Sequence, residues 1–183
     1  MKTLSPELAR AVDMLRRARI DASDGLPEAL FLLVSGLMPV PNVDLLVTDE
    51  AGRILLSRRN DPFFEESWHI PDGCLRYGES PEERIRKTAL AELGCEVSFN
   101  PVPLAVRSVR RGRNESLPFS AERGHNLALL YACRPPSGFT PDNRGRTERD
   151  NGFLRWFHTL PADFMNIQHV YDDVLSPWIR TSR

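Results

Sequence analysis

What the chain lacks bounds it first. No apolar run is long enough for a bilayer: the longest, residues 29–40, is broken by Ser35, Gly36 and Pro39 and falls well short of the roughly 20 residues a membrane helix needs. Its N-terminal stretch, MKTLSPELARAVDMLRRARIDAS, scatters charge where a secretory signal would be apolar, so the expectation is a cytoplasmic protein with no membrane partner. Cysteine is scarce. Cys74, Cys95 and Cys133 are odd in number and show no CxxC spacing, which favours reduced thiols over a disulfide framework or a zinc site. An excess of one charge is also missing, since 24 basic residues stand against 25 acidic ones. No nucleic-acid partner is therefore expected, and any attraction for phosphate must be local.

What is present describes one domain. A length of 183 residues with 41% apolar content suits a single core with a modest extension. Ser5-Pro6-Glu7 signals a helix start, and Leu8, Val12, Leu15 and Ile20 continue it as an apolar stripe among arginines. A second short helix is expected from Pro27 to about Leu37. VDLLVT, DEAG and RILLSRR then read as strand, turn and strand. Further strands are expected at residues 96–99, 104–110 and 127–133, and a helix from Pro161 through Asp173. The polar stretches at 112–126 and 134–152 read as functional loops. There is no internal repeat.

One stretch, PDGCLRYGESPEERIRKTALAELG at residues 71–94, is specified almost residue by residue. Ser80 can cap a helix, Pro81 suits its first position, Glu83 completes a capping box and Gly94 can end it in the left-handed conformation. Ile85, Ala89 and Leu93 should face a sheet, with Arg84, Thr88 and Glu92 on the adjacent edge. Glu92 can then point back to the loop that opens the stretch.

This pattern resembles the Nudix box, with Gly73, Glu79, Lys87, Glu92 and Gly94 in the matching places, approached through Trp68-His69-Ile70-Pro71-Asp72. The resemblance covers about residues 42 to 175. It implies an α/β fold with a mixed sheet between helices, preceded by a helical extension at residues 1–41 that could pack on the domain or on a homodimer mate. The box departs from its usual form. Thr88 and Ala91 stand where acids are usual, leaving one carboxylate in the last turn. That reduced pattern resembles the GDP-mannose mannosyl hydrolase branch. By that likeness Glu92 and the Asp72 carbonyl hold Mg²⁺ (or Mn²⁺), Arg59 neutralises the diphosphate, and Asp44 supports the sugar side.

Other roles stay open. Cys74 replaces an arginine of the branch, and Arg76, two residues on, is the candidate substitute for binding phosphate. Asp150-Asn151 falls where the branch has Gln-His, and an asparagine cannot take a proton. Asp150 is then a candidate third metal ligand, Asp150 or Glu148 a candidate base, and His125 a further candidate beside substrate. Glu79 and Lys87 would brace the loop. Arg107, Arg110, Arg111 and Arg113 form a basic cluster that most simply reads as a solvated strand and turn. Trp68, Phe63 and Phe64 could stack on a base, although Trp68 more simply packs the core. The expected activity is Mg²⁺-dependent hydrolysis of a nucleoside diphosphate linked to another group, a nucleotide sugar first. The alternatives are a nucleotide-binding domain without catalysis, and attack at phosphorus on an ADP-ribose-like substrate.

Overall fold

The structure is a computed structural model that describes residues 4–18, 20–61, 64–110 and 124–179. Phe63, Arg111 and Arg113 lie outside the described residues. Helix α1 (Pro6–Arg17) begins where expected: Pro6 occupies its first turn and the Ser5 hydroxyl accepts the Leu8 N–H at 3.3 Å. None of its residues is buried, and Leu8 and Met14 are 50% and 71% exposed. Helix α2 (Glu28–Leu37) buries Leu32 and Ser35. A Cβ on Gly124 would stand 2.0 Å from the Ser35 carbonyl oxygen, so only glycine lets the chain before β7 approach this helix.

Strands β1 (Val40–Val47), β2 (Ile54–Asp61), β3 (Phe64–His69) and β4 (Asp72–Cys74) precede helix α3 (Pro81–Thr88). After it come β5 (Ser98–Phe99), β6 (Ala105–Arg110), β7 (His125–Arg134) and β8 (Leu154–Phe157). The parallel pair β1 and β7, in register from Val40 opposite Asn126 to Val47 opposite Cys133, centres a mixed sheet. Antiparallel β4 flanks β1, and β5 and β6 flank β7. The near-continuous apolar runs of β1 and β7 reflect this central position, because a strand covered on both faces needs no polar alternation. Strands β3, β2 and β8 make a second, antiparallel sheet.

Two cores result. Leu46, Ile54, Leu56, Trp68, Leu130 and Tyr171 belong to the first; Val43, Leu45, Leu55, Ile85, Ala89 and Leu93 to the second, beneath α3. Trp68 is 3% exposed and meets Phe157 edge-on at 4.8 Å, so it packs the core rather than offering a stacking face. The architecture is the expected α/β arrangement, with the second sheet added. One element differs. The C-terminal segment is a 3₁₀ stretch, Asn166–Tyr171, followed by a single turn α4 (Asp172–Leu175), and not a continuous helix from Pro161. Tyr171 closes that stretch with its ring fully inside the first core.

Candidate functional site

Helix α3 carries the signals read from the sequence. Ser80 accepts the Glu83 N–H at 3.2 Å and the Glu83 carboxylate accepts the Ser80 N–H at 2.8 Å. Pro81 opens the helix and Gly94 ends it at φ 74°. Residues Ala89–Leu93 do not continue as α-helix but widen into a π turn, a distortion frequent at functional sites. That turn carries Glu92.

Gly73 explains how the sheet meets this helix. A Cβ there would stand 2.3 Å from the Thr88 Oγ1 and 3.3 Å from Arg84 Cδ, so β4 lies against α3 only because this residue has no side chain. The loop between them is held by Glu79. Its carboxylate, 6% exposed, accepts the Arg76 N–H at 2.9 Å, the Arg84 Nε at 2.7 Å and the Lys87 ammonium at 2.9 Å, and pairs again with Arg84 Nη2. Burial pushes its carboxyl up, but these donors together hold it down at about 2. Glu79 and Lys87 stand at the loop, away from the cavity described next.

Register brings the remaining groups together. Asp44 in β1 lies opposite Asp72 in β4, and Ser57 in β2 opposite His69 in β3. Residues of one parity in β2, namely Leu55, Ser57 and Arg59, share a face. Between these strands and the π turn is a cavity of about 210 Å³, lined by Arg59, His69, Asp72, Cys74, Glu92 and Asn151, with the backbone of Gly73 and Gly152. Arg59 Nη1 and His69 Nε2 each stand 3.5 Å from Asp72 Oδ1. His69 Nδ1 is 2.8 Å from the Ser57 carbonyl oxygen, which can only accept, so Nδ1 carries a proton. Burial and the neighbouring Asp72 raise the Glu92 carboxyl to about 7, against the opposing pull of Arg59 and Arg146.

Behind the cavity lies a buried polar cluster. Asp44 is 3% exposed and does not line the cavity. The Asn42 amide donates to Asp44 Oδ1 at 2.8 Å and to Asp72 Oδ2 at 3.2 Å, while the Tyr171 hydroxyl bonds Asp44 Oδ2. Burial first, then Asp72, raises the Asp44 carboxyl well above its ordinary value.

Several residues expected at the site stand outside the cavity. Asp150 is exposed, and its carboxylate accepts the Thr147 N–H at 2.6 Å and hydroxyl at 2.8 Å, so it caps its own loop outside the cavity. Its neighbour Asn151 lines the cavity instead. Glu148 pairs with Arg155 at 2.5 Å, Arg76 with Asp24 at 2.7 Å, and His125 with the Ser108 hydroxyl at 2.8 Å; none of the three lines the cavity. Arg107, from the basic cluster, pairs with Asp173 at 2.6 Å. The sequence reading passed over His69, whose place two residues from an expected loop was its only signal. It also passed over Asn42, Tyr171 and Arg146, and Tyr171, which reaches Asp44 across more than a hundred residues, had none.

The donor set suits a hard divalent cation. Two carboxylates that repel one another share one small cavity, and their oxygens, with nearby backbone carbonyls, are the ligands Mg²⁺ prefers. Among the described residues no group of three His, Cys, Asp or Glu side chains could hold such an ion alone. That agrees with the habit of Mg²⁺ to take one or two carboxylates and complete its shell from water and substrate phosphate.

Comparison with known proteins fits this geometry. The family model described as NUDIX domain matches residues 38–170. An RNA pyrophosphohydrolase of Cellvibrio japonicus is 28% identical over 127 residues, covering 63% of this chain and 70% of that protein. One from Pseudomonas paraeruginosa is 32% identical over 89 residues, covering 49% of this chain and only 52%, about half, of that protein. Among solved structures, one from Jonesia denitrificans, described as a possible asymmetric diadenosine tetraphosphate hydrolase, superposes with a TM-score of 0.59 at 19% identity. It covers 80% of this chain and all of that one, a likeness of fold.

Proposed function

The chain belongs to the Nudix family, and on that premise we propose that it hydrolyses a diphosphate linkage in a nucleotide, with Mg²⁺, by attack of water at phosphorus. The observation that carries this reading is the shared cavity of Asp72, Glu92 and Arg59, two carboxylates and a guanidinium. Bound to Asp72 and Glu92, the cation would draw charge from the phosphoryl oxygens and favour attack at phosphorus. Arg59 takes up the charge that develops on the diphosphate, its fork matching two phosphate oxygens. His69, fixed through Nδ1 on the Ser57 carbonyl, presents Nε2 on the cavity side and is the group placed to accept the proton of the attacking water. Asp44 keeps Asn42 and Tyr171 in place and braces Asp72 from behind.

Attack at the sugar carbon, as in the GDP-mannose mannosyl hydrolase branch, is less well supported. Asp44, the residue it needs at the sugar, is buried and already bonded to Asn42 and Tyr171. The pyrophosphohydrolase names of the relatives point the same way. Residues 1–41 are proposed as an extension to a catalytic unit at 42–183. A second reading, a domain that binds a nucleotide without turnover, is favoured by Thr88 and Ala91 standing where acids are usual.

Product analysis in ¹⁸O-water separates these readings. The panel is a 5′-triphosphorylated RNA, diadenosine tetraphosphate, ADP-ribose and GDP-mannose, each with Mg²⁺ and with Glu92→Gln alongside. Label in a phosphate-bearing product, lost in the variant, is expected. Label in free sugar would sink attack at phosphorus, and binding with no turnover would establish the second reading.

A further inference from the structure

We infer that Arg146 is a second phosphate-binding arginine of this site, meeting the substrate from the loop between β7 and β8 while Arg59 meets it from β2. The inference rests on the diphosphate reading above and adds to it a residue that the box does not contain.

The loop is built to hold its shape. The Asn143 side chain accepts the Leu154 N–H at 2.7 Å and donates to the Leu154 carbonyl at 3.1 Å, closing the loop onto β8. Arg146 N–H then donates to the Asn143 carbonyl at 2.8 Å. Farther on, the Asn60 amide donates to the Arg149 carbonyl at 3.0 Å, and Gly152 N–H to the Arg58 carbonyl at 2.8 Å, tying the loop to β2. Asp150, with its bonds to Thr147, belongs to the same bracing.

Arg146 is not itself a lining residue, but this scaffold sets its guanidinium beside one that is. Its Cζ lies 3.7 Å from where a Cβ on Gly152 would stand, and Gly152 lines the cavity. Arg146 also pulls the Glu92 carboxyl down, a smaller effect than that of Arg59. Among the described residues its guanidinium makes no ion pair or hydrogen bond, in contrast to Arg58, Arg84, Arg107 and Arg155, each engaged by a carboxylate. A cation on a braced loop, beside a cavity and without a carboxylate of its own, is placed for an anionic ligand.

The charge balance says which part of the ligand. Asp72 and Glu92 set against Arg59 and a divalent cation leave one positive charge in the cavity. Arg146 raises this to two, equal to the two ionised phosphates of a diphosphate esterified at both ends. Arg146 therefore takes the phosphoryl group that Arg59 does not.

Titration calorimetry with inorganic pyrophosphate and Mg²⁺ tests this on the full chain, comparing wild type with Arg146→Gln and Arg146→Lys. Because the side chain is exposed, both variants should melt with the wild type. Loss of a charged hydrogen bond predicts about 10- to 100-fold weaker binding for Arg146→Gln, with partial recovery in Arg146→Lys. With any panel substrate that turns over, KM should rise by a similar factor while kcat changes less. Equal binding by wild type and Arg146→Gln, or no binding by either, overturns the inference. The outcomes separate from those of the hydrolase reading: Arg146-dependent binding without turnover keeps the inference and removes hydrolysis, whereas turnover indifferent to Arg146 does the reverse.

Discussion

Replacing Glu79 by glutamine should cost the fold a pH-dependent amount that can be worked out from its partners. The native carboxyl sits at about 2 against an ordinary 4.5, held there by Arg84, Lys87 and the Arg76 N–H in spite of burial. A depressed carboxyl stabilises the fold above its unfolded pKa, and this contribution disappears as pH falls through the folded one. Linkage then gives about 3.4 kcal/mol at pH 7, about 1.4 at pH 3 and less than about 0.5 at pH 2. The figure at neutral pH agrees with the ~3–5 kcal/mol lost when one partner of a buried ion pair is removed. It is an order-of-magnitude value, because the Lys87 arm is 58% exposed and screened by solvent.

Urea unfolding of wild type and Glu79→Gln at pH 7, 5, 3 and 2 measures the difference directly. The two curves should converge toward pH 2. A gap below about 1 kcal/mol at pH 7, or one that does not shrink on acidification, would refute the claim that the loop is held by an ionised Glu79. Because Glu79 lies outside the cavity, weakly destabilised variants should also keep their affinity for pyrophosphate at temperatures well below melting.

Three further outcomes follow from the site. Gly73→Ala drives a methyl to 2.3 Å from the Thr88 hydroxyl oxygen and should cost about 1–3 kcal/mol, a loss measured by urea unfolding and relieved in the Gly73→Ala/Thr88→Ala double variant. With the Glu92 carboxyl at about 7, protons compete with the metal below neutrality, so the Kd for Mg²⁺ by calorimetry should rise about tenfold from pH 8 to pH 6. Glu92→Gln should flatten that dependence, and an unchanged slope would remove Glu92 from the ligand set. Asp150→Ala should leave Mg²⁺ affinity within about twofold, since its carboxylate is occupied by Thr147; a large loss would return it to the metal.

How far the sequence could be read follows from which interactions are local. The capping box at Ser80 and Glu83, the glycine end at Gly94 and the inward face of Ile85, Ala89 and Leu93 were all visible, because each depends on neighbours within two helical turns. The separation of β1 from β7 was legible only as two apolar runs; their parallel pairing joins residues more than eighty positions apart. Glu92 was read on an α-helical edge, but the wider π turn that carries it has no clear mark in ALAEL. Asp150 and Asn151 show the limit most plainly. Adjacent side chains in a loop point apart, and the hydrogen bonds that decide which faces the cavity run to Thr147 in one case and to the β2 end in the other. No spacing rule reports that choice.

The altered box can be understood from how its two changed positions, Thr88 and Ala91, are packed. With β4 pressed against α3 at Gly73, the 4% exposed side chain of Thr88 lies directly under the strand. A glutamate there would bring a longer, charged side chain into a tightly packed place. Ala91 is exposed, so an acid at that place would face solvent rather than Asp72. On the proposed reading the second carboxylate would come from β4 instead, where Asn42 and Arg59 already hold Asp72. The negative charge missing from the helix would then be supplied from the sheet. On this argument Asp72→Asn should lower Mg²⁺ affinity as much as Glu92→Gln does, in a variant that still melts like wild type; a mild effect of Asp72→Asn would mean that the site relies on Glu92 alone.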